Sequence, residues 1–138
     1  MTYRRMSDII RRRPVTLGGS ASVQEACRLM HEHRIGAVLV TDADGRLEGI
    51  FTGRDVVRLL ADGRSPAHTH LHAVMTREPA HLPPNHSALD ALRLMHDGGF
   101  RHVPVVASGK LVGIVSAGDF RHFEHARLDD ETGIWERM

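Results

Sequence analysis

The stretch from residue 14 to residue 56 recurs further along the chain, and this recurrence limits the available folds more than any single residue does. From Pro14 to Val40, the residue 65 places on is identical at 10 of 27 positions, among them Pro14/Pro79, Ser22/Ser87, Met30/Met95, His31/His96 and Val40/Val105. One residue then drops out. At an offset of 64, Gly45/Gly109, Leu47/Leu111, Gly49/Gly113, Ile50/Ile114 and Asp55/Asp119 match. Ordinary residue usage gives roughly two to four matches in such a comparison. Two copies of one unit bury their apolar faces against each other, so the chain reads as two similar halves around a shared interior.

Each copy reads as strand, helix, strand, strand, helix. In the first, Pro14 to Leu17 is a short extended segment. Ser22 with Glu25 is a capping box, followed by Val23, Ala26, Cys27 and Met30 at helical spacing. Ile35 to Val40 is too short and too rich in strand formers for a helix. The turn Asp42 to Gly45 joins it to a second strand, Leu47 to Thr52, as a hairpin. A helix from Gly53 to Asp62 stops at Gly63. The second copy repeats this order: a helix opened by Ser87 and Asp90, strands at 101–106 and 111–116, and a helix from Ala117 to about Leu128. Residues 64–70 carry no large apolar side chain and read as a linker. The spans are therefore 6–63 and 71–128, with a polar tail at 129–138 holding Ile134 and Trp135.

At 138 residues, the chain has the length of one domain. A net charge of +1 supplies no basic field, which argues against nucleic acid as a partner. The single cysteine, Cys27, excludes an internal disulfide, suits a reducing compartment and falls on an apolar helical stripe. No apolar run approaches the ~18 residues of a membrane span. The expectation is a soluble cytoplasmic protein without a membrane role.

Chemistry is expected where the second hairpin strand meets the last helix of each copy. Gly49-Ile50-Phe51-Thr52-Gly53-Arg54-Asp55 and Gly113-Ile114-Val115-Ser116-Ala117-Gly118-Asp119 share a pattern: Gly, two apolar residues, a hydroxyl residue, two spacers, Asp. One reading is a helix cap, with the Asp favouring the helix N-terminus. The other is a ligand site, in which the hydroxyl and free N–H groups hold a phosphate and the carboxylate accepts from a ribose diol. Both can hold together.

This paired pattern, in this strand order, resembles the cystathionine-β-synthase (CBS) domain, and the chain is similar to a stand-alone CBS pair, or Bateman module. Phe100-Arg101-His102-Val103-Pro104-Val105-Val106 is similar to that family's basic-basic-apolar-Pro-Val strand, and Val74 to Pro79 to its repeat-opening segment. The resemblance implies an α/β (α+β) fold of two β-α-β-β-α repeats, packed through their sheets with pseudo-two-fold symmetry and two clefts between them. It also implies an adenosine-containing ligand and a homodimer built as a four-repeat disc. In the second cleft, Asp119 would hold ribose hydroxyls, Ser116 a phosphate or ribose oxygen, and Arg101 and His102 phosphates. The backbone near His81 and Leu82, with Ile114 and Pro104, would sandwich the base. In the first cleft, Asp55 and Thr52 would match Asp119 and Ser116, and Thr16, Ile35, Val38 and Ile50 would line the base pocket.

The copies are not equivalent. Arg101-His102 answers to Gly36-Ala37, so the second cleft is expected to bind phosphates better. Arg54, where the second copy has Gly118, either faces solvent or reaches the first cleft as a bidentate phosphate partner. His68, His70 and His72 would share one face if extended and form a weak candidate metal site; no metal is the favoured reading.

The favoured function is a non-catalytic regulatory sensor, with AMP, ADP or ATP ahead of S-adenosylmethionine or NAD, acting on an unidentified target protein. A structural dimerisation module with degenerate clefts is the alternative. An enzyme is disfavoured, because no nucleophile with a neighbouring base and no paired carboxylates fall in one site.

Overall fold

The computed structural model describes Arg5 and residues 13–119; residues 120–128, where the last helix is expected to continue, and the tail lie outside the described residues. In chain order the elements are β1 (Thr16–Leu17), α1 (Val23–His33), β2 (Ala37–Thr41), β3 (Leu47–Thr52), α2 (Gly53–Ala61), a 3-10 turn (Pro66–His68), α3 (Leu71–Val74), β4 (Thr76–Arg77), α4 (Ala88–Gly98), β5 (His102–Ala107) and β6 (Lys110–Ser116). Residues 117–119 begin the expected last helix. Helices α1 and α4 open identically: the Ser22 hydroxyl accepts from the Glu25 N–H and the Ser87 hydroxyl from the Asp90 N–H, each at 3.1 Å.

Both apolar runs become central strands, and their side chains alternate. In β2, Val38 and Val40 point at α1 and join Val23, Ala26, Met30 and Phe51 in one core. Ala37 and Leu39 point the other way, with Ile50, against Leu111 and Ile114 of the second copy. That second layer is the sheet-on-sheet contact between the copies. In the second half, Val103, Val105 and Val115 pack with Ala88, Ala91 and Met95 of α4. A strand covered on both faces has no polar side to show, which is why these runs read as continuously apolar.

Pairing repeats as the sequence does. Leu17 lies parallel to Val40 and Leu82 parallel to Val105, while β2–β3 and β5–β6 are antiparallel hairpins. Two details differ from the sequence reading. The first hairpin strand starts at Ala37 rather than Ile35, because α1 runs to His33 and Arg34 turns the chain through the left-handed region (φ 54°). Residues 64–70 are no loose tether: Thr69 is buried, its carbonyl accepts from the Val23 N–H at 2.9 Å, and its hydroxyl donates to Ser65 O at 2.7 Å.

The copies also interlock. Thr76–Arg77, at the start of the second copy, adds a fourth strand to the first copy's sheet, in the order β1-β2-β3-β4. A Cβ on Gly49 would lie 2.5 Å from Met75 Sδ and 2.9 Å from Thr76 O, so the close approach of β3 and β4 requires glycine there.

Candidate functional site

The Asp pattern adopts one geometry twice. Asp55 Oδ2 accepts from the Thr52 N–H (2.9 Å) and the Thr52 hydroxyl (3.2 Å). Asp119 Oδ2 accepts from the Ser116 N–H (2.8 Å) and the Ser116 hydroxyl (3.2 Å). One carboxylate oxygen thus closes the strand-to-helix corner. The other, Oδ1, remains available: at Asp119 it has no partner among the described residues, and at Asp55 it faces Arg58 Nη1 at 3.9 Å. A carboxylate has about four acceptor positions, so the cap and a pair of ligand hydroxyls can share one side chain.

Each carboxylate opens into a cleft between the copies, and the walls are crossed. The Asp119 cleft, about 160 Å³, joins Ile114 and Ser116 of the second copy to residues 13–15 and 34–37 of the first. The Asp55 cleft, about 260 Å³, joins Ile50 and Thr52 of the first copy to Thr76, Pro79, Ala80 and residues 98–100 of the second. The pseudo-two-fold relation explains this, because each hairpin end faces the opening segment of the opposite copy.

Several site residues consequently sit elsewhere than the sequence suggested. Ile35, assigned to the Asp55 cleft, lines the Asp119 cleft. Val38 is fully buried against α1, since strand alternation turns it away from the copy-to-copy layer where Leu39 reaches the cleft. Thr16 is exposed and lines neither cleft, the neighbouring Val15 taking the wall. Leu82 packs on the second core and is tied to β5 by bonds to Pro104 O (3.1 Å) and from Val106 N (3.0 Å). His81 is exposed, Pro104 is fully buried, and the lining near them comes from Pro79 and Ala80. Ile50, Thr52, Arg54 and Asp55 come together as expected, with Arg54 on the cleft wall, as do His102, Ile114, Ser116 and Asp119.

The charge contrast drawn from Arg101-His102 also changes. Arg101 is exposed and lines neither cleft, whereas His102 lines both. Its ring lies 3.5 Å from where a Cβ of Gly36 would be, an ordinary van der Waals distance across the gap between the copies. Burial and the neighbouring Arg101 guanidinium push the His102 pKa below its ordinary value, against a smaller opposing pull from Asp119. Two arginines stand on each cleft: Arg13 and Arg34 beside Asp119, Arg54 and Arg58 beside Asp55. Arg13, Arg34 and Arg58 escaped the sequence reading. The signal for Arg34 was its offset match to Gly99, a helix-stop glycine replaced by a cation.

The three linker histidines do not converge. The 3-10 turn and α3 break the extended geometry that would align them, so His68 Nδ1 meets Ser65 Oγ (3.0 Å), His70 Nδ1 meets Ser20 O, and His72 Nε2 lies 3.6 Å from Glu48. Among the described residues, no three His, Cys, Asp or Glu side chains cluster as a metal site. No helix among them is long and apolar enough to cross a membrane.

A model of the CBS domain matches residues 6–62 and 71–126. The chain belongs to the CBS domain family. It is 36% identical over 115 residues to the CBS domain-containing protein YhcV of Bacillus subtilis, covering 83% of this chain and 81% of that one. It spans about a fifth of the length of the Arabidopsis thaliana CBS domain-containing relatives it matches. Among solved structures, CBS domain protein PAE2072 from Pyrobaculum aerophilum, complexed with AMP, superposes with a TM-score of 0.78 at 26% identity (83% of this chain, 88% of that one). The CBS domain pair of protein MJ0100, in complex with 5′-methylthioadenosine and S-adenosyl-L-methionine, gives 0.80 at 26% identity (86% and 98%). The α+β fold and the tandem CBS pair read from the sequence are those of the structure.

Proposed function

We propose that this CBS pair is a non-catalytic regulatory module that binds an adenosine-containing ligand in its two inter-copy clefts and thereby alters a partner protein. The observation that carries this is the half-used carboxylate: Asp55 and Asp119 each commit Oδ2 to the corner and line a cleft walled by both copies, with Oδ1 left outside the corner bonds. A ribose diol would donate to that oxygen, apolar Ile114 or Ile50 would pack on the base, and the arginines would meet phosphates. The AMP-bound and S-adenosylmethionine-bound relatives support the adenosyl class. The two arginines on each cleft favour the phosphate-bearing AMP, ADP or ATP over S-adenosylmethionine, with NAD as a lesser alternative.

A ligand that touches both copies binds best at one separation of the walls. It shifts the protein towards that separation by its difference in affinity between states, and a target sensitive to the separation responds. A second copy of the chain is the proposed cover for Val57 and Leu60, exposed one turn apart on α2. Calorimetric titration of the purified chain with AMP, ADP, ATP, adenosine, S-adenosylmethionine and NAD tests the reading. Saturable binding of an adenine nucleotide supports it, and no heat or thermal shift at millimolar ligand overturns it. The second reading, a structural dimerisation module, draws on the corner bonds to Oδ2, which need no ligand; that negative titration would leave it standing.

A further inference from the structure

One backbone position is occupied by glycine in one copy and by arginine in the other. Helix α4 ends at Gly99, with φ 70° and ψ 26°. Helix α1 ends at its counterpart Arg34, with φ 54° and ψ 49°. Left-handed closure of a helix suits glycine, and a residue with a Cβ is strained there. The closing bonds of Arg34 run from its own backbone N–H to His31 O and Met30 O, so they would form with any side chain and do not call for a guanidinium. Arg34 lines the Asp119 cleft together with Arg13, whose counterpart 65 residues on is Glu78.

The arginines of the two clefts therefore stand on different walls. In the Asp55 cleft, Arg54 and Arg58 belong to α2, the helix that carries the carboxylate, and Arg58 already faces it. In the Asp119 cleft, Arg13 and Arg34 belong to the copy opposite the carboxylate. A nucleoside with its ribose on Asp119 would direct its 5′ substituent across the gap towards two guanidiniums, with His102 between the walls. Strain retained at Arg34 is then offset by a charge placed where glycine would leave none.

We propose that Arg34, with Arg13, is an anion receiver that makes the Asp119 cleft selective for 5′-phosphorylated adenosine ligands over uncharged ones. This rests on the nucleotide-sensor reading and deepens it. The test is titration of the full chain and its Arg34→Gly and Arg13→Gln variants with AMP and with adenosine. The expected result is a loss of AMP affinity of roughly 10–100-fold at one of the two sites for Arg34→Gly, the range for a lost charge-assisted bond. A smaller loss is expected for Arg13→Gln, adenosine affinity should change less than about twofold, and Tm should be unchanged or higher because glycine fits the left-handed corner. AMP affinity in both variants within twofold of the parent overturns the receiver, and so does a parallel fall in adenosine affinity, which would make Arg34 a shaping residue. Parent protein that binds neither compound fails at the sensor reading itself, a result distinguishable from those two.

Discussion

The Asp55 and Asp119 clefts share a floor and differ in their walls. The floors are built from the part of the chain that repeats at an offset of 64, and their hydrogen bonds agree to 0.1 Å. The facing walls draw on the part that repeats at 65, where Arg34 answers to Gly99, Ile35 to Phe100 and Ala37 to His102. The floor doubles as a helix cap worth about 1 kcal/mol to each copy, so its chemistry serves stability as well as any ligand. The walls carry part of the copy-to-copy core through Ala37 and Leu39, but at positions 34–37 and 99–102 charge and size diverge. In the nucleotide-sensor reading, specificity belongs to the walls.

The halves also differ in how firmly they hold their floors. Phe51 sits under the Asp55 corner where Val115 sits under Asp119, and both are fully buried. Phe51→Ala should cost about 3–5 kcal/mol in urea unfolding, more than Val115→Ala; the reverse order would show that the second copy anchors the clefts. Next in size, Asp55→Ala and Asp119→Ala should each remove one nucleotide site, with a roughly 10–100-fold loss of affinity. Calorimetric stoichiometry falling from two to one checks this, and loss of both sites from either variant would mean the clefts are one coupled unit.

His102 gives a smaller, pH-dependent contrast. Its pKa is lowered on folding from 6.5, so the unfolded chain binds the proton more readily. Stability therefore holds above pH 6.5 and declines as pH falls below it towards the lowered value. His102→Gln should flatten that decline in Tm between pH 7 and 5.5, relative to the parent, and an identical slope would show that other histidines carry it. Smallest of all, Arg58→Ala should change stability by less than about 0.5 kcal/mol, because the guanidinium is exposed and 3.9 Å from Asp55. It should nevertheless tighten adenosine binding at the Asp55 cleft by releasing Oδ1; unchanged affinity would remove Arg58 from the contrast.

Much of this was legible in the chain. Duplication, capping serines and hairpin turns give the elements, since each depends on residues close in sequence. The carboxylate corners were legible for the same reason, with Thr52 three residues from Asp55. The cleft walls were not, because they join residues 13–15 and 34–37 to residues some 80 to 105 positions away, and periodicity does not say which copy faces which. Val38 was misplaced because a run apolar on both faces hides its alternation. Arg101 was misplaced because adjacent strand residues point to opposite sides, and only His102 turns inward. The linker was underestimated because its main tie, from Val23 N–H to Thr69 O, is made by backbone.

Strand β4 has a consequence for how the molecule could be divided. The peptide that begins the second copy completes the sheet of the first, so a cut within residues 64–68 would not yield two finished pieces. The first fragment would end with an uncovered β3 edge whose N–H and C=O groups seek a strand, and the second would carry that strand without a sheet to join. The fragments should recognise each other by fragment complementation. The strand that finishes the first copy's sheet belongs to the second, which makes the pair, rather than the repeat, the smallest self-contained unit of this architecture.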